Sequence, residues 1–111
     1  MRNIIRAGIT GIEGWVPDDV LTNLDLEKMV DTTDEWITSR TGIKERRILK
    51  EEGIGSSYIG SKAVSALFKK HNINPSDIDL LICATATPDM LFPSTACVIA
   101  DKVGVKNALA F

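Results

Sequence analysis

Residues 79–111, DLLICATATPDMLFPSTACVIADKVGVKNALAF, decide the fold. The run 79–85 is apolar without alternation and short. An Asp-rich turn precedes it and a Pro-containing turn follows, the pattern of a strand covered on both faces in a parallel sheet. Ser94 offers a capping hydroxyl to a helix over 95–103 that is apolar nearly all round and stopped by Gly104, so a buried helix is expected there. Residues 107–111 open another apolar strand. Strand, helix and strand in that order predict an α/β protein with a largely parallel sheet and helices on both faces. The last strand reads as cut off.

Working outward, Ile59, Ala63, Ala66 and Leu67 form a stripe at helical spacing within 55–72, and Lys69, Lys70 and His71 fall in the last turn where the helix dipole favours cations. Earlier, Thr22-Asn23-Leu24-Asp25 offers caps to a short helix with Leu26, Met29 and Val30 on one face. Asp31-Thr32-Thr33-Asp34-Glu35 repeats the signal for a second helix, which runs through Trp36 and stops near Gly42. The opening run 4–12 mixes β-branched and small residues and reads as a strand, followed by a turn over 14–19. Gly8, Gly11 and Gly14 have the wrong spacing for a dinucleotide-binding loop, and close backbone packing or turns explain them instead. Repeats and low-complexity linkers are missing from all 111 residues, so the chain reads as one cooperative piece.

Composition excludes several function classes. With 44% hydrophobic and 25% charged residues, disorder is excluded. Thirteen Lys and Arg against fifteen Asp and Glu leave a net charge of −2. Such a chain holds no global field for a polyanion, so nucleic acid is not an expected partner and any anion site must be local. Neither a membrane span nor the apolar core of a signal peptide is present in the sequence, and a cytoplasmic protein is the default expectation. Cys83, Cys97 and the lone His71 cannot make up a set of four zinc ligands, so no metal site is expected, and both thiols read as reduced and buried.

The densest chemistry lies in 31–47, DTTDEWITSRTGIKERR. Trp36 and Arg40 are four residues apart and share a helix face. An indole and a guanidinium so placed can sandwich a planar heterocycle, while Lys44, Arg46, Arg47 and Lys50 could meet phosphates. The same residue types also fit a Trp packed in the core with solvated cations nearby, so both readings stay open here. Cys97 sits three residues beyond the Ser94 cap, where helix amides can lower a thiol pKa, yet its neighbours are apolar and no His is close in sequence, so a structural thiol is expected. Cys83 reads as structural, His71 as solvated or carbonyl-capping, and Asp34 and Glu35 as helix-capping carboxylates.

The segments LTNLDLEKMVDTTDEWITSRTGIKERRI (21–48), LLICATATPDMLFPSTACVIADKVG (80–104) and ALAF (108–111) closely resemble the opening part of beta-ketoacyl-[acyl carrier protein] synthase III. D-E-W-I-x-x-R-T-G-I-x-E-R followed by F-P-S-x-A-C carries the resemblance, which covers nearly the whole chain. It implies the thiolase fold, of which residues 1–111 would be most of the N-terminal half, truncated before the nucleophile-bearing turn. It implies a homodimeric acyltransferase that joins an acyl-CoA primer to malonyl-acyl carrier protein by decarboxylative condensation, initiating fatty-acid synthesis. Coenzyme A thioester would be a substrate, with no prosthetic group. The nucleophilic Cys and the assisting His and Asn would lie downstream, leaving no catalytic residue in this chain and the chain alone inactive.

By the same resemblance Trp36 stacks on the adenine of coenzyme A, and Arg40 and Thr32 neighbour the nucleotide and its phosphates. Phe92 reaches across the dimer to the partner's acyl pocket, and Cys97 is not catalytic. Ala86 stands beside the primer pocket where some members carry a larger polar residue, so primer length and branching stay open. Two alternatives differ in class or substrate: a stand-alone coenzyme A binding or scaffolding module without chemistry, and a related condensing enzyme of secondary metabolism.

Overall fold

The computed structural model describes residues 6–111, so residues 4 and 5 of the predicted first strand lie outside the described residues. Two compact units emerge, Val16–Gly55 and a second that joins the segment up to Trp15 with Ser56–Phe111. The chain is mixed α/β.

The Val16–Gly55 unit is built on two short strands, β1 (Val20–Thr22) and β2 (Glu45–Arg47), paired antiparallel with Val20 opposite Arg47 and Thr22 opposite Glu45. This pair was not expected from the sequence, because three-residue strands are too short to show an alternating pattern. Helix α1 (Asn23–Glu27) starts directly from β1. Thr22 Oγ1 accepts from the Asp25 N–H at 3.2 Å while Asp25 Oδ2 accepts from the Thr22 N–H at 3.2 Å, a reciprocal cap of the kind the sequence suggested. The Thr22 hydroxyl bond holds the Asp25 carboxyl below its usual pKa.

α1 ends sooner than its apolar spacing predicted. The Leu26 carbonyl accepts from both Met29 and Val30 N–H groups at 2.9 Å, which closes the turn, and Met29 and Val30 lie beyond it, exposed. Helix α2 (Asp34–Thr41) follows, capped by the Thr33 hydroxyl on the Trp36 N–H at 3.1 Å and ended by Gly42, whose φ of 71° suits a residue without Cβ.

In the second unit, helices α3 (Ser56–His71) and α4 (Thr95–Val103) fall almost where expected. They pack tightly where α3 has no side chain: a Cβ at Gly60 would stand 2.5 Å from Ile99 Cδ1. Strands β3 (Leu80–Leu81) and β4 (Leu109–Ala110) pair in parallel, Leu80 opposite Leu109, with α4 in the connection between them. A single turn of 3-10 helix, Pro75–Asp77, leads into β3.

Three expectations are corrected here. The run 79–85 is not covered on both faces, since Leu80 is 49% and Ile82 63% exposed. Helix α4 buries Thr95, Ala96, Ile99 and Ala100 but exposes Cys97, so its burial is one-sided rather than all round. Residues 6–12 form no strand, because no edge among the described residues pairs with them. That segment instead lies along the end of α3, with the His71 ring against Gly11 and Glu13 bonded to Lys70 at 2.6 Å.

Polar bonds tie the loop after β3 to both helices. Asp89 Oδ1 and Oδ2 accept from the Ser57 N–H at 3.1 and 3.2 Å, satisfying a free amide of the first turn of α3. Lys102 on α4 donates to Ser57 Oγ at 3.0 Å, and Ser56 Oγ donates to the Thr87 carbonyl at 2.6 Å. Bonding to Ser57 holds the Asp89 carboxyl below its usual value of 3.8.

A depressed folded pKa means that stability is present above the unfolded value and is lost as pH falls through the folded one. Melting temperature is therefore expected to fall as pH drops below about 3.8 and the Asp89 contribution titrates away. Asp89→Asn should lower the melting point at neutral pH and flatten that acid limb; an unchanged acid limb would count against the cap. Leu80, Ile82, Leu109 and Phe111 are exposed together with Leu91 and Phe92 on the loop, an apolar surface that a lone chain is expected to bury by self-association. Sedimentation of the 111-residue chain checks this, and a concentration-independent monomer would contradict it.

Candidate functional site

Helix α2 carries the site. Its rotation per residue places Asp34 and Thr38 on one face and Trp36 and Arg40 on the other. Trp36 is 54% exposed, which removes the core-packed reading. The Arg40 guanidinium lies over its ring, 4.8 Å from the centroid, within cation–π range. At that distance the pair cannot hold a heterocycle between them, since a slab in contact on both sides needs about 7 Å. A planar ligand stacks on the other indole face, or Arg40 swings aside.

Beside the indole is an open pocket of about 280 Å³ lined by Asp31, Thr32, Thr33 and Trp36. Arg40 stands outside that lining. Thr33 is committed to its capping bond, whereas the Thr32 hydroxyl and Asp31 carboxylate have no hydrogen-bond partner among the described residues. The structure thus brings Thr32 and Trp36 to one pocket, with Arg40 against the indole outside its lining. An indole face, a fixed cation, a hydroxyl and a carboxylate can hold a planar base that donates and accepts hydrogen bonds. Asp31 was missed in the sequence, where it looked like one more acid near a helix start.

Three of the four cations of the basic run are bonded within their own unit, Arg46 half-buried and Arg47 and Lys50 still exposed, so their charge is partly engaged. Arg46 donates to Asn23 Oδ1 at 2.6 Å, Arg47 to the Pro17 and Asp18 carbonyls at 3.3 Å, and Lys50 pairs with Asp19 at 3.2 Å. Besides Arg40, Lys44 alone of these cations has no such partner among the described residues.

Elsewhere, Ala86 and Phe92 are both exposed on the loop between β3 and α4, Phe92 at 89%. They line no common pocket with each other among the described residues. Both cysteines are free, as expected, but not buried. Cys83 is half-buried because β3 is covered on one face. Cys97 is exposed at the start of α4, accepting from Ser94 Oγ at 3.2 Å and donating to the Ala110 carbonyl at 3.5 Å. The cap of α2 is Thr33 and not Asp34, whose Oδ1 instead accepts from Asn23 Nδ2 at 2.7 Å and from the Thr38 hydroxyl at 3.2 Å. No helix among the described residues is long and apolar enough to cross a membrane.

No family model matches the chain. Curated relatives do. Beta-ketoacyl-[acyl-carrier-protein] synthase III 2 of Bacteroides thetaiotaomicron is 61% identical over 107 residues, 96% of this chain and 32% of that protein. Among solved structures, 3-oxoacyl-[acyl-carrier-protein] synthase III from Aquifex aeolicus superposes with a TM-score of 0.82 at 50% identity, over 91% of this chain and 32% of that one. The priming beta-ketosynthase from the R1128 polyketide pathway also reaches 0.82, at 31% identity over 91% of this chain and 30% of that one.

The class these define is that of thiolase-like condensing enzymes. Within it, the resemblance to beta-ketoacyl-[acyl carrier protein] synthase III holds across 96% of the chain. The chain spans about a third of the length of the curated relatives it matches.

Exposure of Cys97 without an imidazole beside it gives a testable contrast. Iodoacetamide is expected to alkylate Cys97 faster than Cys83 in the folded chain, while acetyl-coenzyme A leaves both thiols unmodified. Peptide mapping by mass reads both; an acetyl group on Cys97 would overturn its assignment as non-catalytic.

Proposed function

We propose that the chain is part of a condensing acyltransferase, the part that receives the nucleotide end of an acyl-CoA primer. The observation that carries this is the exposed Trp36 ring, backed by Arg40 and bordered by the pocket of Asp31, Thr32 and Thr33. In this reading the adenine stacks on the free indole face. Thr32 and Asp31 meet its polar edge, and Arg40 and Lys44 supply the local positive charge that the phosphates require.

Elsewhere in the full protein a Cys thiolate takes the acyl group from coenzyme A. Decarboxylation of malonyl-acyl carrier protein then supplies the carbanion that displaces the thiolate, giving beta-ketoacyl-acyl carrier protein and carbon dioxide. The identity to relatives named as synthase III supports this substrate pair. Ala86 stands for the primer pocket, and the exposed Phe92 for a contact across a homodimer, in a cytoplasmic enzyme. Equal superposition on a polyketide priming enzyme favours one second reading, a condensing enzyme of secondary metabolism; the lower identity of 31% against 50% ranks it behind.

Calorimetric titration of coenzyme A into the product of the full reading frame tests the site. Trp36→Ala is expected to weaken binding by about 1–3 kcal/mol, roughly ten- to a hundredfold, with the melting point retained. An unchanged dissociation constant would remove Trp36 from the ligand site.

A further inference from the structure

The least exposed polar side chain in the Val16–Gly55 unit is Asn23, at 1%. Both hydrogens of its amide and one lone pair of its oxygen are engaged. Nδ2 donates to Asp34 Oδ1 at 2.7 Å, to the Ile43 carbonyl at 2.8 Å and, more weakly, to Thr38 Oγ1 at 3.3 Å. Oδ1 accepts from Arg46 Nη1 at 2.6 Å. The backbone N–H of the same residue donates to the Lys44 carbonyl at 3.2 Å.

These partners are distributed along α2: Asp34 in its first turn, Thr38 a turn later, and Ile43 just past its end. Asp34 and Thr38 lie on the face opposite Trp36 and Arg40, and the Thr38 hydroxyl also donates to Asp34 Oδ1 at 3.2 Å. Two attachments on one face and a third just past the end fix the roll of a helix about its axis. A roll would carry Trp36 away from Asp31, Thr32 and Thr33, which precede the helix and line the pocket with it.

We propose that Asn23, held by Arg46, is a positioning residue that sets the roll of α2 and thereby the distance between the Trp36 ring and the Thr32 wall of its pocket. The side chain must be an amide. It gives hydrogens to a carboxylate and a carbonyl on one side and takes one from a guanidinium on the other, which neither Asp nor Leu can do. This proposal rests on the coenzyme A reading for its binding consequence but not for its geometric one, and the test separates the two.

Asn23→Asp and Thr38→Val are made in the product of the full reading frame, in a Trp15→Phe background so that Trp36 alone reports. Acrylamide quenching of Trp36 reads, without ligand, how far the pocket wall shields the indole, and coenzyme A titration measures the consequence. Asn23→Asp sets a carboxylate against Asp34 while keeping the Arg46 pair. It is expected to raise the quenching constant by about half or more and weaken coenzyme A binding about tenfold.

The Asn23→Asp/Asp34→Asn double variant restores one donor–acceptor pair and should recover part of both losses. Thr38→Val, which removes only the weakest contact, should shift both readings in the same direction but by less, coenzyme A affinity by about twofold, and it decides if Asn23→Asp does not fold. Unchanged quenching in folded Asn23→Asp, or in Thr38→Val where the other variant fails to fold, would overturn the positioning role. Altered quenching in a protein whose parent binds no coenzyme A would uphold the positioning and overturn the ligand reading alone.

Discussion

One buried amide organises the Val16–Gly55 unit. Among its described residues Pro17 and Ile37 are the buried apolar side chains, too little apolar surface to hold short strands and helices together by itself. Asn23 takes over that role by directional bonding to α2, to the segment after it and to β2. Burial makes the network stringent, because each partner left unpaired away from water costs about 1–3 kcal/mol. A unit secured this way has one geometry or none, which suits a helix that must present a ring at a fixed place.

The second unit rests on different physics. Small residues on α4, Ala96 and Ala100, with Ile99 filling the space left by Gly60, let the two long helices approach closely. Polar bonds are confined to the ends, where Asp89, Ser57 and Lys102 join a helix start, a loop and a neighbouring helix. Apolar packing thus fixes the scaffold, and the loop bearing Leu91 and Phe92 is anchored at its base while its tip remains exposed.

What the sequence made legible was local. Thr22, Thr33 and Ser94 cap the helices they were expected to cap, since each bond spans only a few residues. α3 and α4 follow from long apolar stripes. The β1–β2 pair and the work of Asn23 were not legible, because their partners lie 11 to 27 residues away and three-residue strands have no period to read. The bonding of the basic run was illegible for the same reason: the Arg47 partners are carbonyls 29 and 30 residues earlier, and a carbonyl leaves no mark in a sequence. Trp36 could be placed by resemblance but not by residue type, since an indole on a helix face packs inward as readily as it binds.

The exposed indole itself asks for an explanation, because its apolar area gains nothing from facing water. Arg40 supplies part of one. Lying over the ring, the guanidinium shields one face and gains from its quadrupole, so the pair is stable without ligand. The same contact orients the cation before any ligand arrives, which lowers the entropy lost on binding. Asn23 constrains the roll of the helix, Arg40 constrains the ring, and the Thr33 cap constrains the first turn. The proposed recognition face is therefore assembled from side chains whose conformational freedom folding has already removed, so that a ligand stacking there would not spend binding energy in ordering them.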